Sequence, residues 1–238
     1  MGNHPTVCRL MRGVFNLQPP SKPKPPVWDV ELLLSFMDTW GPSDSLTLPQ
    51  TTCRTLLLLL LTSAARIGEI ADLQYPPSSR QPHRWEFTYG RGLTKTSRQG
   101  QHAPTFVVKP YPPNHLRCPI TALTAYDILT LPHRPVPSSL FLTSRKPYRS
   151  ASKDTLARWV KTTIHAAGID ATLYTAHSTR AASTTAAHTR GLQLPDILKT
   201  AQWTRATTFY NHYYRPPPQR QCPQPCLIHN VKIALCPR

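Results

Sequence analysis

The segment from His177 to Pro216, "HSTRAASTTAAHTRGLQLPDILKTAQWTRATTFYNHYYRP", concentrates aromatic and basic side chains near the end of the folded chain. The whole sequence has nine tyrosines, and this segment places three of them within five positions, at Tyr210, Tyr213 and Tyr214. Tyrosine is a poor nucleophile while protonated, because its ordinary pKa is about 10. A phenol that reacts at neutral pH therefore needs cations or a base beside it, and this segment supplies both.

His177 and Arg180 open this segment at a predicted helix start. Residues three apart share a helix face, and the helix N-terminus adds backbone donors, so the pair suits an anionic ligand. The pattern is weak by itself. Trp203 and any one of the tyrosines also fit the plainer interpretation of packing residues.

The chain around this segment is predicted to be mostly helical. Apolar spacing of about 3.6 residues and cap residues such as Ser152 and Gly168 support this assignment. Leucines on every side of the second helix indicate that its middle is buried. The predicted helices are 28–40, 51–74, 150–170, 178–189, 195–203 and 207–214.

A small antiparallel sheet is predicted between the helices. Trp85, Phe87 and Tyr89 alternate with polar residues, and 104–111 repeats an apolar pattern, which predicts a hairpin with a long basic tip. The stretch 139–144 is a further strand candidate. The predicted fold class is therefore α+β, mostly helical, with a small antiparallel sheet.

The charge balance favours a polyanionic partner. The 238 residues contain 28 Lys plus Arg against 11 Asp plus Glu, a formal net charge of +17, and nucleic acid is the first candidate. No stretch is apolar enough to predict a membrane span, and no signal peptide is evident. We expect an intracellular, nuclear protein.

Proline content predicts the domain limits. Prolines from 19 to 26 indicate an extended connector, so residues 1–27 are predicted to form a proline-rich basic arm. The folded domain spans 28–216, and 217–238 is predicted to be a disordered tail.

Neither a metal nor a cofactor is expected. The six cysteines lack CxxC pairs, and the sequence has no P-loop. One tail group could in principle hold zinc, but its irregular spacing among prolines favours an unstructured tail. That group is Cys222, Cys226, His229 and Cys236.

Further basic candidates lie upstream of the quoted segment. Arg66 follows the leucine run and has Glu69 one helical turn later, where the carboxylate can hold the guanidinium in place. An ordinary helical ion pair is the alternative. Lys95 lies in the hairpin tip together with Arg91 and Arg98, where simple contact with phosphate backbone is the plainer interpretation.

The order of these residues along the chain resembles the tyrosine recombinase, or phage-integrase-like, catalytic domain. That order is Arg on a buried helix, Lys on a hairpin tip, H-x-x-R, an aromatic residue and a Tyr. The resemblance covers roughly 28–216 and is nearest to recombinases of eukaryotic DIRS-type retrotransposons and Cryptons. Its most specific part is the forty-residue segment quoted above.

The resemblance implies a role for each of these residues. It places the nucleophile at Tyr213, four residues after Phe209, with Tyr214 as the alternative. It makes Arg66 and Arg180 phosphate clamps, His177 a phosphate contact that shares in proton handling, and Lys95 the general acid. Trp203 stands where many members have His, and its indole N–H donates a hydrogen bond but transfers no proton.

The same resemblance implies the reaction and the partners. Tyr213 would cleave a strand of double-stranded DNA through a 3′-phosphotyrosyl intermediate, without metal or ATP, and relatives act as tetramers. Glu69 would support the site without doing chemistry, and four arginines would contact DNA: Arg91, Arg98, Arg205 and Arg215. Relatives usually carry an N-terminal helical domain, for which residues 1–27 are too short.

Three alternatives stay open at this level. The chain could be a recombinase-derived DNA-binding module without activity, since filled catalytic positions do not prove turnover. It could be a type IB topoisomerase-like enzyme, which shares the tyrosine chemistry. A plain basic RNA-binding protein is the third, although no RRM or KH pattern is present.

Overall fold

The computed structural model describes residues 4–17, 25–91, 105–135 and 137–215. Within these ranges the chain is mostly helical with two small antiparallel sheets, which confirms the predicted fold class. The helices are α1 Pro5–Leu17, α2 Val30–Asp38, α3 Leu48–Ser63, α4 Ile67–Ala71, α5 Pro119–Thr130, α6 Lys153–Ala166, α7 Ser178–Thr189, α8 Leu194–Thr200 and α9 Ala206–His212. The strands are β1 Gln74–Tyr75, β2 Ser79–Gln81, β3 Arg84–Phe87, β4 Phe106–Val108 and β5 Ser138–Ser139.

Helix α3 is the centre of the core. Leu56 to Leu60 are each at most 2% exposed, so the leucine run is buried on all sides, as predicted. Helices α5, α6 and α7 pack around α3. The hydroxyl of Thr55 donates to the carbonyl of Ala122 on α5 at 3.0 Å, which satisfies a polar group inside this packing.

The prediction of one continuous helix over 51–74 is wrong. Helix α3 ends at Ser63, Ala64 has a left-handed backbone with φ of 50°, and α4 begins at Ile67. The Ser63 hydroxyl accepts from Ala65 N at 3.2 Å, and such side-chain bonds compete with the helical ladder. As a result Arg66 lies at the start of α4 and not inside a helix.

The predicted hairpin is present. Strand β3 pairs antiparallel with β4, with Phe87 opposite Phe106 and Trp85 opposite Val108, and β2 extends the sheet on the other side. The hairpin tip, with Lys95 and Arg98, lies outside the described residues. The strand predicted over 139–144 is mostly absent, because only Ser138–Ser139 pairs with β1 and the buried residues that follow form a loop.

Two helices were not predicted. Helix α5 is buried over most of its surface, so the polar face that would mark it in the sequence is missing. Helix α1 lies within the region predicted to be an arm, and none of its residues is buried. Part of the proline-rich connector and all of the predicted tail 217–238 lie outside the described residues.

The last three helices form a second, smaller core. Helices α7, α8 and α9 follow the predicted ranges within a few residues. The small core joins them to the break after α3, because Ala64 packs in it together with Ile197, Ala201, Trp203 and Phe209. The C-terminal helices are thus brought against the start of α4.

Candidate active site

Arg66 and Glu69 form one side of the candidate site. The Glu69 carboxylate accepts from the Arg66 backbone N at 2.8 Å and from its guanidinium at 2.6 Å. It therefore fixes both the backbone and the side chain of Arg66. The Arg66 side chain is 23% exposed and that of Glu69 is 10% exposed. The predicted pair is present, and it orients a partly exposed guanidinium at a helix start.

Arg180 lies opposite this pair, in the first turn of α7. It is 1% exposed, and its guanidinium donates to the carbonyl of Ala201 at 2.5 Å and lies 4.0 Å from Glu69. Burial first, and the positive charge of Arg66 second, lower the pKa of Arg180 to about 10, although Tyr213 and Glu69 oppose this shift. The Glu69 carboxylate thus lies near two guanidinium groups, at 2.6 Å from that of Arg66 and 4.0 Å from that of Arg180.

Trp203 and Tyr213 close the site over Arg180. Their rings stack with centroids 4.5 Å apart and an interplanar angle of 28°. The Arg180 guanidinium carbon lies 4.7 Å from the Trp203 ring centre and 5.4 Å from that of Tyr213. These three distances describe a compact triangle, in which a cation contacts two electron-rich rings at once.

His177 lies on the open side of the same cluster. It is exposed, directly precedes α7, and its ring centre lies 6.0 Å from that of Tyr213. Both members of the predicted pair therefore lie near the Tyr213 ring, His177 as an exposed residue and Arg180 as a buried one.

Among the residues that the structure describes, two buried donors in this cluster have no hydrogen-bond partner. They are Nε of Arg180 and Nε1 of Trp203. Buried donors are rarely left unpaired in folded proteins, and each such case calls for a physical reason. Both atoms belong to residues whose side chains contact the Tyr213 ring.

Tyr210 and Tyr214 face a different environment. Tyr214 packs against His188 and Phe209, with centroid distances of 5.0 and 5.4 Å, and Tyr210 lies 5.7 Å from Tyr214. Among the three clustered tyrosines, Tyr213 is the one whose ring contacts with Arg180, Trp203 and His177 bring it into the site.

The base of the predicted lysine hairpin lies beside the site. Asp72, just after α4, accepts from Gly90 N at 2.8 Å through its carbonyl and from Arg91 N at 3.1 Å through its carboxylate. Lys95, four residues beyond Arg91, lies outside the described residues.

Three of the four arginines predicted to contact DNA lie among the described residues. The Arg91 side chain is 87% exposed, Arg205 is exposed at the start of α9, and Arg215 is partly buried and donates to the carbonyl of His212. Arg98 lies outside the described residues.

Sequence reasoning missed two side chains near the site. Tyr89 is 7% exposed, and burial, followed by the negative charge of Glu69, raises its pKa to about 12, while a hydrogen bond with Gln202 opposes this rise. Gln202 has a backbone φ of 54°, in the left-handed region that residues other than glycine rarely adopt. No signal in the sequence marks Gln202, whereas Tyr89 was assigned only to strand packing.

The described residues show neither a metal-ligand cluster nor a helix able to span a membrane. In the described parts of the chain, no three His, Cys, Asp or Glu side chains come together as metal ligands. The tail residues considered for zinc lie outside those parts. Nor does any described helix combine the length and apolar character that crossing a bilayer requires.

The fold is similar to those of solved site-specific tyrosine recombinases. The XerH recombinase, bound to a palindromic difH substrate in a post-cleavage complex, matches with a TM-score of 0.57 and 16% identity over 82% of this chain and 51% of that one. XerA recombinase matches with a TM-score of 0.56 and 16% identity over 86% of this chain and 66% of that one. A lambda integrase dimer bound to a COC′ core site matches with a TM-score of 0.56 and 11% identity over 96% of this chain and 75% of that one.

These matches confirm the predicted catalytic-domain fold of the tyrosine recombinases. The chain spans between half and two thirds of the length of the two Xer proteins. No family model and no curated protein matches the sequence.

Proposed function

We propose that this chain cleaves and rejoins strands of double-stranded DNA through a covalent link to Tyr213. The observation that carries the proposal is the position of the Tyr213 phenol ring, which stacks on Trp203 and lies 5.4 Å from a buried guanidinium. Two arginines and a histidine around one phenol suit the attack of a tyrosine on a phosphodiester. The fold shared with recombinases supports the same class of reaction.

The charge balance of the site suits a phosphate. Arg66 and Arg180 repel each other in the free protein, which is one cause of the lowered pKa of Arg180. A phosphodiester between them would add a negative charge, accept from the unpaired Nε of Arg180 and the indole N–H of Trp203, and reverse that shift. In the transition state the charge on the non-bridging oxygens grows, so the same donors bind it more strongly than the ground state.

The proposed reaction conserves the number of phosphoester bonds. The phenol oxygen of Tyr213 forms a bond to phosphorus, the bond from phosphorus to the 5′-oxygen breaks, and the DNA keeps a 3′-phosphotyrosyl end. The phenolic proton leaves with the help of His177, and Lys95 gives a proton to the departing 5′-oxygen. Rejoining is the same step in reverse, with a 5′-hydroxyl as nucleophile, so no external energy source is required.

DNA has to displace the stacked phenol for this reaction. Nε of Arg180 and Nε1 of Trp203 are buried in the free protein, and the Tyr213 ring packs on both side chains, so we infer that a phosphate reaches these donors when the ring moves. Tyr213 directly follows α9, a helix of seven residues, which is a short element to move. We infer that the stacked state is a resting conformation.

We also propose that the partner of this chain is double-stranded DNA and that its origin is a mobile element. The net charge of +17 supports DNA as partner, with Arg91, Arg98, Arg205 and Arg215 on the backbone. The resemblance of the segment from His177 supports an origin in a mobile element, with site-specific recombination or integration in the nucleus by a tetramer. Residues 28–216 would form the catalytic domain.

A covalent-trapping experiment tests the proposal. The protein is incubated with nicked duplexes whose core is randomised, so that cleavage releases a short fragment and traps the adduct. We expect an SDS-resistant adduct that Tyr213→Phe abolishes and that the neighbouring control, Tyr214→Phe, retains.

Other outcomes point to the alternatives. Binding without any adduct would leave a DNA-binding module. An adduct accompanied by relaxation of supercoils, but never by joining of two sites, would indicate a topoisomerase-like enzyme.

A further inference from the structure

Helix α9 does not by itself decide which of two adjacent phenols enters the site. The helix ends at His212, and Tyr213 leaves it with φ of −123° and ψ of −37°. The backbone N–H groups of Tyr213 and Tyr214 both donate to the carbonyl of Phe209, at 2.9 and 2.8 Å. Past this point no regular ladder fixes the direction of the side chains, so another element has to do so.

Thr185 on α7 holds the backbone on both sides of Tyr214. Its hydroxyl donates to the carbonyl of Tyr213 at 3.2 Å and accepts from the backbone N of Arg215 at 3.4 Å. Thr185 is 1% exposed, so water is excluded from its surroundings. A hydroxyl in a helix usually bonds to the helix itself, as Thr184 does by donating to the carbonyl of Arg180 at 2.7 Å. Thr185 is therefore directed to the segment that carries the phenols.

His188 holds the side chain of Tyr214 from the same helix. It follows Thr185 by three residues, so both lie on one face of α7. Its ring lies 5.0 Å from that of Tyr214 and 5.4 Å from that of Phe209, which is completely buried. The Tyr214 ring thus packs on His188 near the end of α7, whereas the Tyr213 ring contacts Arg180 in the first turn of the same helix.

We propose that Thr185 and His188 are positioning residues that select Tyr213, and not Tyr214, as the nucleophile. This inference rests on the proposed function, because it names how that site chooses between two phenols of equal chemistry. The hydroxyl of Thr185 sets the register of the backbone, and His188 keeps the second phenol out of reach of the two arginines.

The first test does not depend on activity. Protein labelled with 3-fluorotyrosine gives one ¹⁹F resonance for each tyrosine, and Tyr213→Phe identifies that of Tyr213. Stacking on Trp203 shifts this resonance, so Thr185→Val should move it towards the position of an exposed tyrosine. Thr185→Ser, which keeps the hydroxyl, and Thr184→Val, which removes a buried hydroxyl one residue away, should leave it in place. A Tyr213 resonance that is the same in Thr185→Val and in the parent protein overturns the inference.

The second test maps the adduct by mass spectrometry. In Thr185→Val the adduct on Tyr213 should fall about fivefold to tenfold, the effect of losing a buried hydrogen bond, and part of it should appear on Tyr214. In the Tyr213→Phe background, adding Thr185→Val should create an adduct on Tyr214, whereas adding Thr184→Val should not.

The outcomes separate the two proposals. Absence of an adduct from the parent protein would refute the function itself. A parent adduct on Tyr213, together with an equally strong adduct on Tyr214 when Thr185 is intact and Tyr213 is Phe, would refute only the selection by Thr185 and His188.

Discussion

Replacing Arg180 by methionine should separate the stability of this fold from its chemistry. Arg180 is 1% exposed, and its pKa is lowered from 12.5 to about 10, with burial as the main cause. Each pKa unit corresponds to about 1.4 kcal/mol. Folding without a ligand therefore disfavours the charged form of this side chain, relative to its neutral form, by about 3 kcal/mol. Methionine has a similar length and removes this unfavourable contribution.

The substitution also removes favourable contacts. A hydrogen bond from a charged donor, such as the one to the Ala201 carbonyl, contributes about 1.5–3 kcal/mol. The contacts with the Trp203 and Tyr213 rings add about 0.5–2 kcal/mol. These opposing contributions nearly cancel, so the free energy of unfolding of Arg180→Met should stay within about 2 kcal/mol of the parent value. Breaking a well-compensated buried ion pair would instead lower it by about 3–5 kcal/mol.

Urea unfolding at neutral pH and the covalent-trapping assay measure the two effects side by side. Adduct formation should fall about a hundredfold to a thousandfold in Arg180→Met, the usual effect of losing a transition-state donor. Arg180→Lys keeps a charge but loses the fork geometry, so its adduct yield should also fall. If Arg180→Met unfolds with a loss of more than about 3 kcal/mol, the charge is already compensated within the fold, and a phosphate is not the missing partner.

Three further substitutions probe the surroundings of this charge. Glu69→Gln removes the carboxylate that holds Arg66, so adduct formation should fall about tenfold in the trapping assay, and an unchanged yield would show that Arg66 needs no such support. Trp203→Phe keeps a ring under Tyr213 but removes the indole N–H, so the yield should fall about tenfold; a control measurement of urea unfolding should change by no more than about 2 kcal/mol. Tyr89→Phe tests the raised pKa of about 12: an unfolded tyrosine loses its proton near pH 10 and the folded one only near 12, so the parent should lose stability as the pH rises between these values. Between pH 9 and 11 this loss amounts to about 1 kcal/mol relative to Tyr89→Phe in urea unfolding, and parallel pH profiles of the two proteins would contradict the buried phenol.

Helices and strands with a strong period were predictable from the sequence. The run of leucines on every side predicted α3, and an apolar stripe with Ser152 as its cap predicted α6. Alternating aromatic residues predicted β3. Helix α5 was not predicted, because its burial on most sides removes the polar face that marks a surface helix. The break at Ala64 was missed for a different reason, since that residue packs against Ala201 and Trp203, more than a hundred positions away.

The candidate site was predictable in composition but not in arrangement. The sequence resembles the tyrosine recombinases in the types and order of five residues, which are Arg66, His177, Arg180, Trp203 and Tyr213. The structure brings these side chains together. Their catalytic roles stay predictions, as does the role of Lys95.

The sequence by itself determined which residue types are available and where local periodicity makes helices, because both depend on neighbours within one or two turns. Only the tertiary structure decided that Arg66 begins a helix opposite Arg180, and that Tyr213 faces the arginines while Tyr214 packs on His188. Adjacent tyrosines at the end of a helix are equivalent to any local rule. The difference between them comes from contacts with α7 and with Trp203, which the chain makes only once it has folded.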